Sequence, residues 1–325
     1  MNHNYLKLNT NLNSMEFRLS IIFALLCSPL AGAMTDTDIP ACPPAQGTAL
    51  QVLGSGGPIA DDGRASSGYL VWIDGRSRFL VDAGGGVFLR FGEAGGSFAD
   101  LEHIAISHLH TDHSSDLSAL LKSGYFSDRT RKLTISGPGP GNAYPGINAY
   151  LQRLLSPEHG AYGYLGGYLD GSADLVKLEA AEVDPALRQA HRVYANPDTG
   201  IEILATGIPH GPVPALAYRI RIGHKSIVFA GDQNGSSDSF IDFARGADVL
   251  VMHMPVPENI GRVGRNLHAP PSVIGKIASE TGAKELVLSH FMARSLKNME
   301  NNLDQIRAWF DGHITSAADL DCVRF

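Results

Sequence analysis

The chain has 325 residues, 44% of them hydrophobic and 18% charged, and a formal net charge of −7. Such a composition supports a sizeable globular core and excludes a disordered or fibrous chain. The mild acidity argues against a nucleic-acid binder, which normally carries a basic face to neutralise phosphates.

In chain order the first feature is Leu19 to Leu30 (LSIIFALLCSPL), an apolar run behind Arg18 that leads into Ala31-Gly32-Ala33. A basic residue, an apolar stretch and a small-x-small site predict a secretory signal peptide over 1–33, cleaved after Ala33. The run is too short to span a bilayer stably, and a tethering anchor is the alternative. Met15 makes a tidier start for this signal than Met1. Cys27 does not read as a lipoprotein cysteine, because Leu26 stands where a small residue is needed. The expected location is therefore periplasmic or secreted. Once the signal is removed, Cys42 and Cys322 remain, one near each end. In an oxidising compartment that pair predicts a disulfide tying the ends together.

Residues 34–48 read as a lead-in and 49–325 as one domain, with no linker, repeat or low-complexity tract. Strands are predicted over 49–54, 68–73 and 77–82, the last two joined by Asp74-Gly75, a strong hairpin signal. A helix is expected over 87–91, a strand over 103–107 and a helix over 115–123. A strand over 133–136 runs into Gly137-Pro138-Gly139-Pro140-Gly141, read as a loop. A helix is predicted over 143–155, and the Gly- and Tyr-rich stretch 156–171 as irregular. Further strands are expected over 201–206, 216–222, 226–230, 249–252 and 286–288. Helices are expected over 238–244, 271–281 and 296–310. Strand pairs mixed with flanking helices in each half predict an α/β fold of two packed sheets with helices outside.

The chemistry concentrates in Ser107-His-Leu-His-Thr-Asp-His113, where three histidines and an aspartate fall directly after a predicted strand. Neutral imidazoles with a carboxylate suit zinc and similar divalent ions. Alternation puts His108 and His110 on one side of the turn and leaves Asp112 and His113 for a second ion. Two ions can share an acidified water and clamp the attacking and leaving oxygens.

This run resembles the HxHxDH signature of the metallo-β-lactamase fold superfamily, and the rest of that pattern follows in order. Asp82 in FLVDAGGG resembles the aspartate that supports the metal loop, best read as orienting it. His210 in GIPHGP resembles the third ligand of the first metal, Asp232 in FAGDQN the bridging carboxylate, and His290 in LVLSHF the last ligand of the second. The likeness runs over about residues 49–318. It implies a four-layer αββα sandwich, two Zn2+ or other divalent ions, and hydrolysis by metal-activated water with Asp112 orienting the nucleophile.

Within the superfamily, His210 to Ile220 and Leu267 to Phe291 look most like the ribonuclease Z and arylsulfatase branch. The resemblance makes His268 a proton donor or charge stabiliser, a role suited to an imidazole poised near neutral pH. Two departures turn the expectation away from tRNA. His210 and Asp232 are joined only by a hairpin through Gly223, where ribonuclease Z carries a tRNA-gripping arm. Its His-Glu-Ala-Thr stretch finds only Val251-Met-His-Met254. The expected activity is hydrolysis of a phosphodiester or sulfate ester of modest size, with nucleic acid not expected as partner. The alternatives are a lactonase or β-lactamase activity, or a metal-dependent binding protein without turnover. Arg262, Arg265 and Asn266 are candidates to meet an anionic substrate group. Tyr162, Tyr164 and Tyr168 are weaker candidates to line a pocket.

Overall fold

The computed structural model describes residue 42, residues 45–141 and residues 143–325. The signal peptide over 1–33 and most of the lead-in lie outside those residues. No helix among the described residues is long and apolar enough to cross a membrane.

Among the described residues, fourteen strands form two seven-stranded sheets. In the first half they are β1 Thr48–Gly54, β2 Gly68–Ile73, β3 Arg76–Val81, β4 His103–Ala105, β5 Leu133–Pro138 and β6 Leu178–Val183. In the second they are β7 His191–Asn196, β8 Ile201–His210, β9 Val213–Ile222, β10 Lys225–Phe229, β11 Val249–His253, β12 Glu285–Ser289 and β13 His313–Ser316, before β14 Cys322–Arg324 returns to the first sheet beside β1. The order is β14-β1-β2-β3-β4-β5-β6 in one sheet and β13-β12-β11-β10-β9-β8-β7 in the other. Each begins with antiparallel hairpins and continues in parallel strands, from β3 to β6 and from β10 to β13.

Period-two alternation explains the layers. Leu50, Val52, Tyr69, Val71, Phe79 and Val81 face Ile203, Tyr218, Ile220, Ile227, Phe229 and Val251 in one buried cluster between the sheets. Their neighbours point outward under helices: Leu70, Trp72 and Leu80 pack with Phe91, Leu117, Leu121 and Leu151. On the other side Val228, Leu250 and Met252 pack with Phe240, Ile274, Ile277 and Ile306. Two sheets covered on both outer faces make the expected αββα sandwich.

The hairpin at Asp74-Gly75 has positive φ at both residues, 48° and 75°, as a two-residue turn matching strand twist requires. The helix Pro271–Thr281 starts on a proline and stops on Gly282 at φ 63°, the usual asymmetry of helix ends. Elsewhere the structure corrects the expected elements. β5 continues through Gly137 and Pro138, which pair with Glu182 and Val183. Pro145 and Gly146 delay the following helix to Ile147–Leu155. The irregular stretch holds two short helical turns, Gly163–Leu165 and Gly167–Asp170. The helix expected over 296–310 covers only Met299–Arg307; Asn298, whose backbone lies outside the helical region, separates it from a short turn at Ala293–Leu296. Cys42 and Cys322 are disulfide-bonded across 280 positions of sequence, as expected.

Candidate metal centre

The carboxyl ends of the parallel strands meet at one edge of the sandwich, where loops can place side chains without interrupting a sheet. Asp82 follows β3, His108 lies just beyond β4, Asp232 just beyond β10, and His290 follows β12. His210 ends β8, held there by the tight turn at Gly211, φ 56°. After β4 the chain stays extended through His110 and then enters the short helix Thr111–Ser114. That change of backbone separates the two pairs read from the motif.

One group gathers His108, His110 and His210. His108 Nε2 lies 3.0 Å from His110 Nδ1, and the His210 ring is centred 5.0 Å from that of His108. The second gathers Asp112, His113, His290 and Asp232. His113 Nε2 is 3.2 Å from His290 Nε2, which is 3.2 Å from Asp112 Oδ2 and 3.4 Å from Asp232 Oδ1. Asp232 Oδ2 faces both groups, at 3.6 Å from His210 Nε2, 3.8 Å from His113 Nε2 and 4.0 Å from His108 Nε2. His268 Nδ1 stands 3.8 Å from the same oxygen, with 12% of its side chain exposed.

The donor set fits divalent ions, and the hydrogen bonds behind it say why. His113 Nδ1 donates to Asp82 Oδ2 at 2.8 Å, and His210 Nδ1 donates to the Leu267 carbonyl at 2.9 Å. In the neutral ring each Nε2 is therefore a bare lone pair. Both lone pairs face a carboxylate oxygen, an arrangement that is repulsive without a cation among them. His210 Nε2 is buried with no hydrogen-bond partner.

The surroundings of each group follow the same logic. Burial alone would raise the Asp232 carboxyl, yet His290, His268, His113 and the hydrogen bond from His253 hold it well below the usual range. Asp112 is likewise opposed by burial but held down to about 2, chiefly by His290. Burial would lower His113, but Asp82, Asp232 and Asp112 lift it to about 9. These carboxylates call for positive charge at this spot. His268 departs from the expected imidazole poised near neutral pH: burial, with the neighbouring histidines, drives it down to about 3 although Asp232 pulls it upward. It stands here as a neutral imidazole.

The supporting shell contains residues that sequence reasoning gave no role. Asp82 acts as expected, accepting from the Ser107 amide at 2.7 Å and the Ser107 hydroxyl at 2.8 Å. His253 donates from Nδ1 to Asp232 Oδ1 at 2.6 Å, and Tyr69 Oη meets His253 Nε2 at 2.9 Å. Tyr144 sets its ring 5.9 Å from His110. Asp82 and His290 both hold positive φ, 60° and 56°; such backbone costs of order 1 kcal/mol or more and concentrates at functional sites. Gly84 lets the motif loop close over it, since a Cβ there would stand 2.1 Å from the Asp112 carbonyl.

Of the other candidates, Arg265 turns to the Ile260 and Glu258 carbonyls of its own loop, and the Asn266 carbonyl accepts from Asn234. Arg262, Arg265 and Asn266 do line one cleft together. Tyr168 is buried and donates to the Leu121 carbonyl, whereas Tyr162 and Tyr164 are exposed.

Buried histidines and carboxylates converging at the strand ends of an αββα sandwich define a metal-dependent hydrolase of the metallo-β-lactamase fold. The chain belongs to the β-lactamase superfamily domain family, whose model matches residues 77–291, a span holding every histidine and aspartate placed in the two groups. Among curated relatives, ribonuclease Z of Mycobacterium bovis (strain BCG / Pasteur 1173P2) is 29% identical over 287 residues, covering 83% of this chain and 96% of the relative. Ribonuclease Z of Pseudomonas putida (strain GB-1) is 26% identical over 309 residues, covering 83% and 95%. Among solved structures, human tRNase Z, short form, superposes with a TM-score of 0.64 at 18% identity, covering 85% of this chain and 98% of its own. The metallo-β-lactamase fold protein YhfI from Bacillus subtilis gives 0.63 at 24% identity, covering 86% and 99%. The ribonuclease Z names of the curated relatives bring nucleic acid back among the partners to be tested.

Proposed function

We propose that the protein is an exported hydrolase of phosphodiesters of modest size, working with two divalent ions, zinc foremost. The observation that carries this reading is Asp232 Oδ2, within 4.0 Å of ring nitrogens from both histidine groups, the position of a carboxylate shared by two ions. His108, His110 and His210 would hold one ion, and Asp112, His113 and His290 the other. Ions bound there supply Lewis acidity and an acidified water.

The chain's own residues do the rest. Asp112, held ionised beside His290 and His113, would orient the attacking water and accept its hydrogen bond. His268, partly exposed beside Asp232, offers a hydrogen bond to charge developing on the ester oxygens. Asp82 and His253 fix His113 and Asp232. A phosphorus ester is preferred over an acyl or sulfate ester because the curated relatives bear the name ribonuclease Z. That name also makes RNA the second reading. The short connection from His210 to Asp232, a hairpin of β9 and β10, favours the smaller substrate, and the signal read over 1–33 supports export.

Purified, zinc-loaded protein should hydrolyse a bis-aryl phosphate, and Asp112→Ala should reduce that turnover at least about a hundredfold with the fold intact by circular dichroism. Aryl sulfate, lactone, chromogenic β-lactam and precursor tRNA complete the panel. Turnover of the lactone or β-lactam alone overturns the substrate class, and turnover of tRNA alone establishes the second reading.

A further inference from the structure

A cleft of about 870 Å3 lies against the metal centre, lined by Pro212, Asn234, Arg262, Val263, Arg265, Asn266 and Leu267. Its walls are tied to the site by the chain itself. Pro212 is two residues beyond His210, Asn234 two beyond Asp232, and Leu267 immediately precedes His268. The Leu267 carbonyl accepts a hydrogen bond from His210 Nδ1, and the Asn234 backbone amide donates to the Pro209 carbonyl. The cleft is thus built on the same supports as the candidate ligands, and its Leu267 wall is the residue before His268.

Its chemistry is uneven in an informative way. Val263, at 79% exposure, Leu267 and Pro212 give it an apolar lining. Asn234 is fully engaged, donating to the Asn266 carbonyl and accepting from Ser236. Arg265 is bound to carbonyls of its own loop and faces Glu258 at 3.9 Å. Arg262 is different. It is exposed at the start of the short helix Arg262–Leu267 and makes no ion pair or hydrogen bond among the described residues. An apolar trough with an uncommitted guanidinium in its wall suits a ring or chain that ends in an anion.

We propose that this cleft is the subsite for one arm of the substrate, and that the arm carries a second anionic group, carboxylate or phosphate, recognised by Arg262. The assignment rests on the phosphodiesterase reading above and narrows its substrate class. From Arg262 to His268 the helix rises roughly 9 Å, at about 1.5 Å per residue. That distance leaves room for one ring and its linkers between the scissile ester and the second anion. A planar guanidinium meets either anion bidentately, whereas lysine offers a point charge, so the two side chains are not equivalent here.

The test compares a bis-aryl phosphodiester with its analogue bearing a carboxylate, or a phosphate, on one ring, and repeats both as non-hydrolysable phosphonates in calorimetry. Wild-type protein should show a KM about tenfold lower for the charged ester. Arg262→Ala should raise that KM about tenfold while kcat, and both constants for the uncharged ester, stay within about twofold; Arg262→Lys should recover part of the loss. Val263→Ser should weaken both esters alike. Equal affinity of wild type for charged and uncharged phosphonates overturns the subsite, even if neither ester is turned over. Loss of turnover on both esters with the phosphonate preference intact overturns the phosphodiesterase reading and leaves the subsite standing.

Discussion

His253 and Asp232 are joined by a 2.6 Å hydrogen bond from the Nδ1 of the ring to Oδ1 of the carboxylate, both side chains buried. The bond leaves Asp232 Oδ2 turned toward His108, His113 and His210. Tyr69 completes the chain by donating to His253 Nε2, which fixes the tautomer. His253→Ala should therefore weaken metal binding about tenfold to a hundredfold, the usual effect of losing an orienting partner. Tyr69→Phe should do so less. Competition with a chelating dye measures both, and unchanged affinity in His253→Ala would show that Asp232 needs no such support.

Asp82 performs the matching task for His113. Its carboxylate accepts a hydrogen bond from His113 Nδ1–H and two from Ser107, leaving the His113 Nε2 lone pair toward Asp112 and His290. Asp82→Asn keeps a side chain that tolerates the left-handed backbone at φ 60°. Its amide, however, presents N–H to His113 and favours the wrong tautomer. We expect the metal content of the purified variant, measured by elemental analysis, to fall by about one ion per chain relative to wild type. An unchanged content would refute the tautomer argument.

How much of this was legible in the sequence depends on how local the signal was. The seven residues from Ser107 to His113 carry their chemistry in their spacing, and His210, Asp232 and His290 could be placed because each ends a strong apolar strand. His253 also ends one, yet its partner Asp232 lies 21 residues away and Tyr69 184 away, and no local spacing records such contacts. Strands β6 and β7 were missed for a related reason. As sheet edges they leave half of their residues exposed, so LEAAEV and HRVYAN carry no clean alternation. Arg262 and Arg265 looked alike in sequence. Only the loop carbonyls that Arg265 holds separate them.

The bond between Cys42 and Cys322 ties the start of the described chain to β14, the strand that hydrogen-bonds to β1 at the edge of the first sheet. Closing so long a loop restricts the unfolded chain strongly, and about 2–4 kcal/mol of stability is the expected contribution. Cys322→Ser should lower the urea midpoint accordingly without changing metal content. Wild type under reducing conditions should follow the variant. Equal midpoints for oxidised and reduced wild type would deny the bond a stabilising role.

His103 gives the molecule an acid sensitivity separate from the metal centre. It is fully buried under Tyr194, with ring nitrogens 2.7 Å from Thr134 Oγ1 and 2.8 Å from Ser136 Oγ. Burial lowers its pKa to about 3. Because the folded value lies below the unfolded one, the unfolded chain binds the extra proton, and stability is lost as the pH falls below about 6.5 and continues to fall until about 3. At pH 4.5 the single group costs about 3 kcal/mol relative to pH 7, at about 1.4 kcal/mol per pH unit. His103→Gln keeps polar atoms against both hydroxyls but has no proton to gain. Chelator-treated wild type and variant should therefore differ little in their relative stability at pH 6.5 and above, and the variant should lose less between pH 6.5 and 4.5, as read from urea unfolding. Parallel curves for the two proteins over that interval would mean that His103 takes up no proton on unfolding.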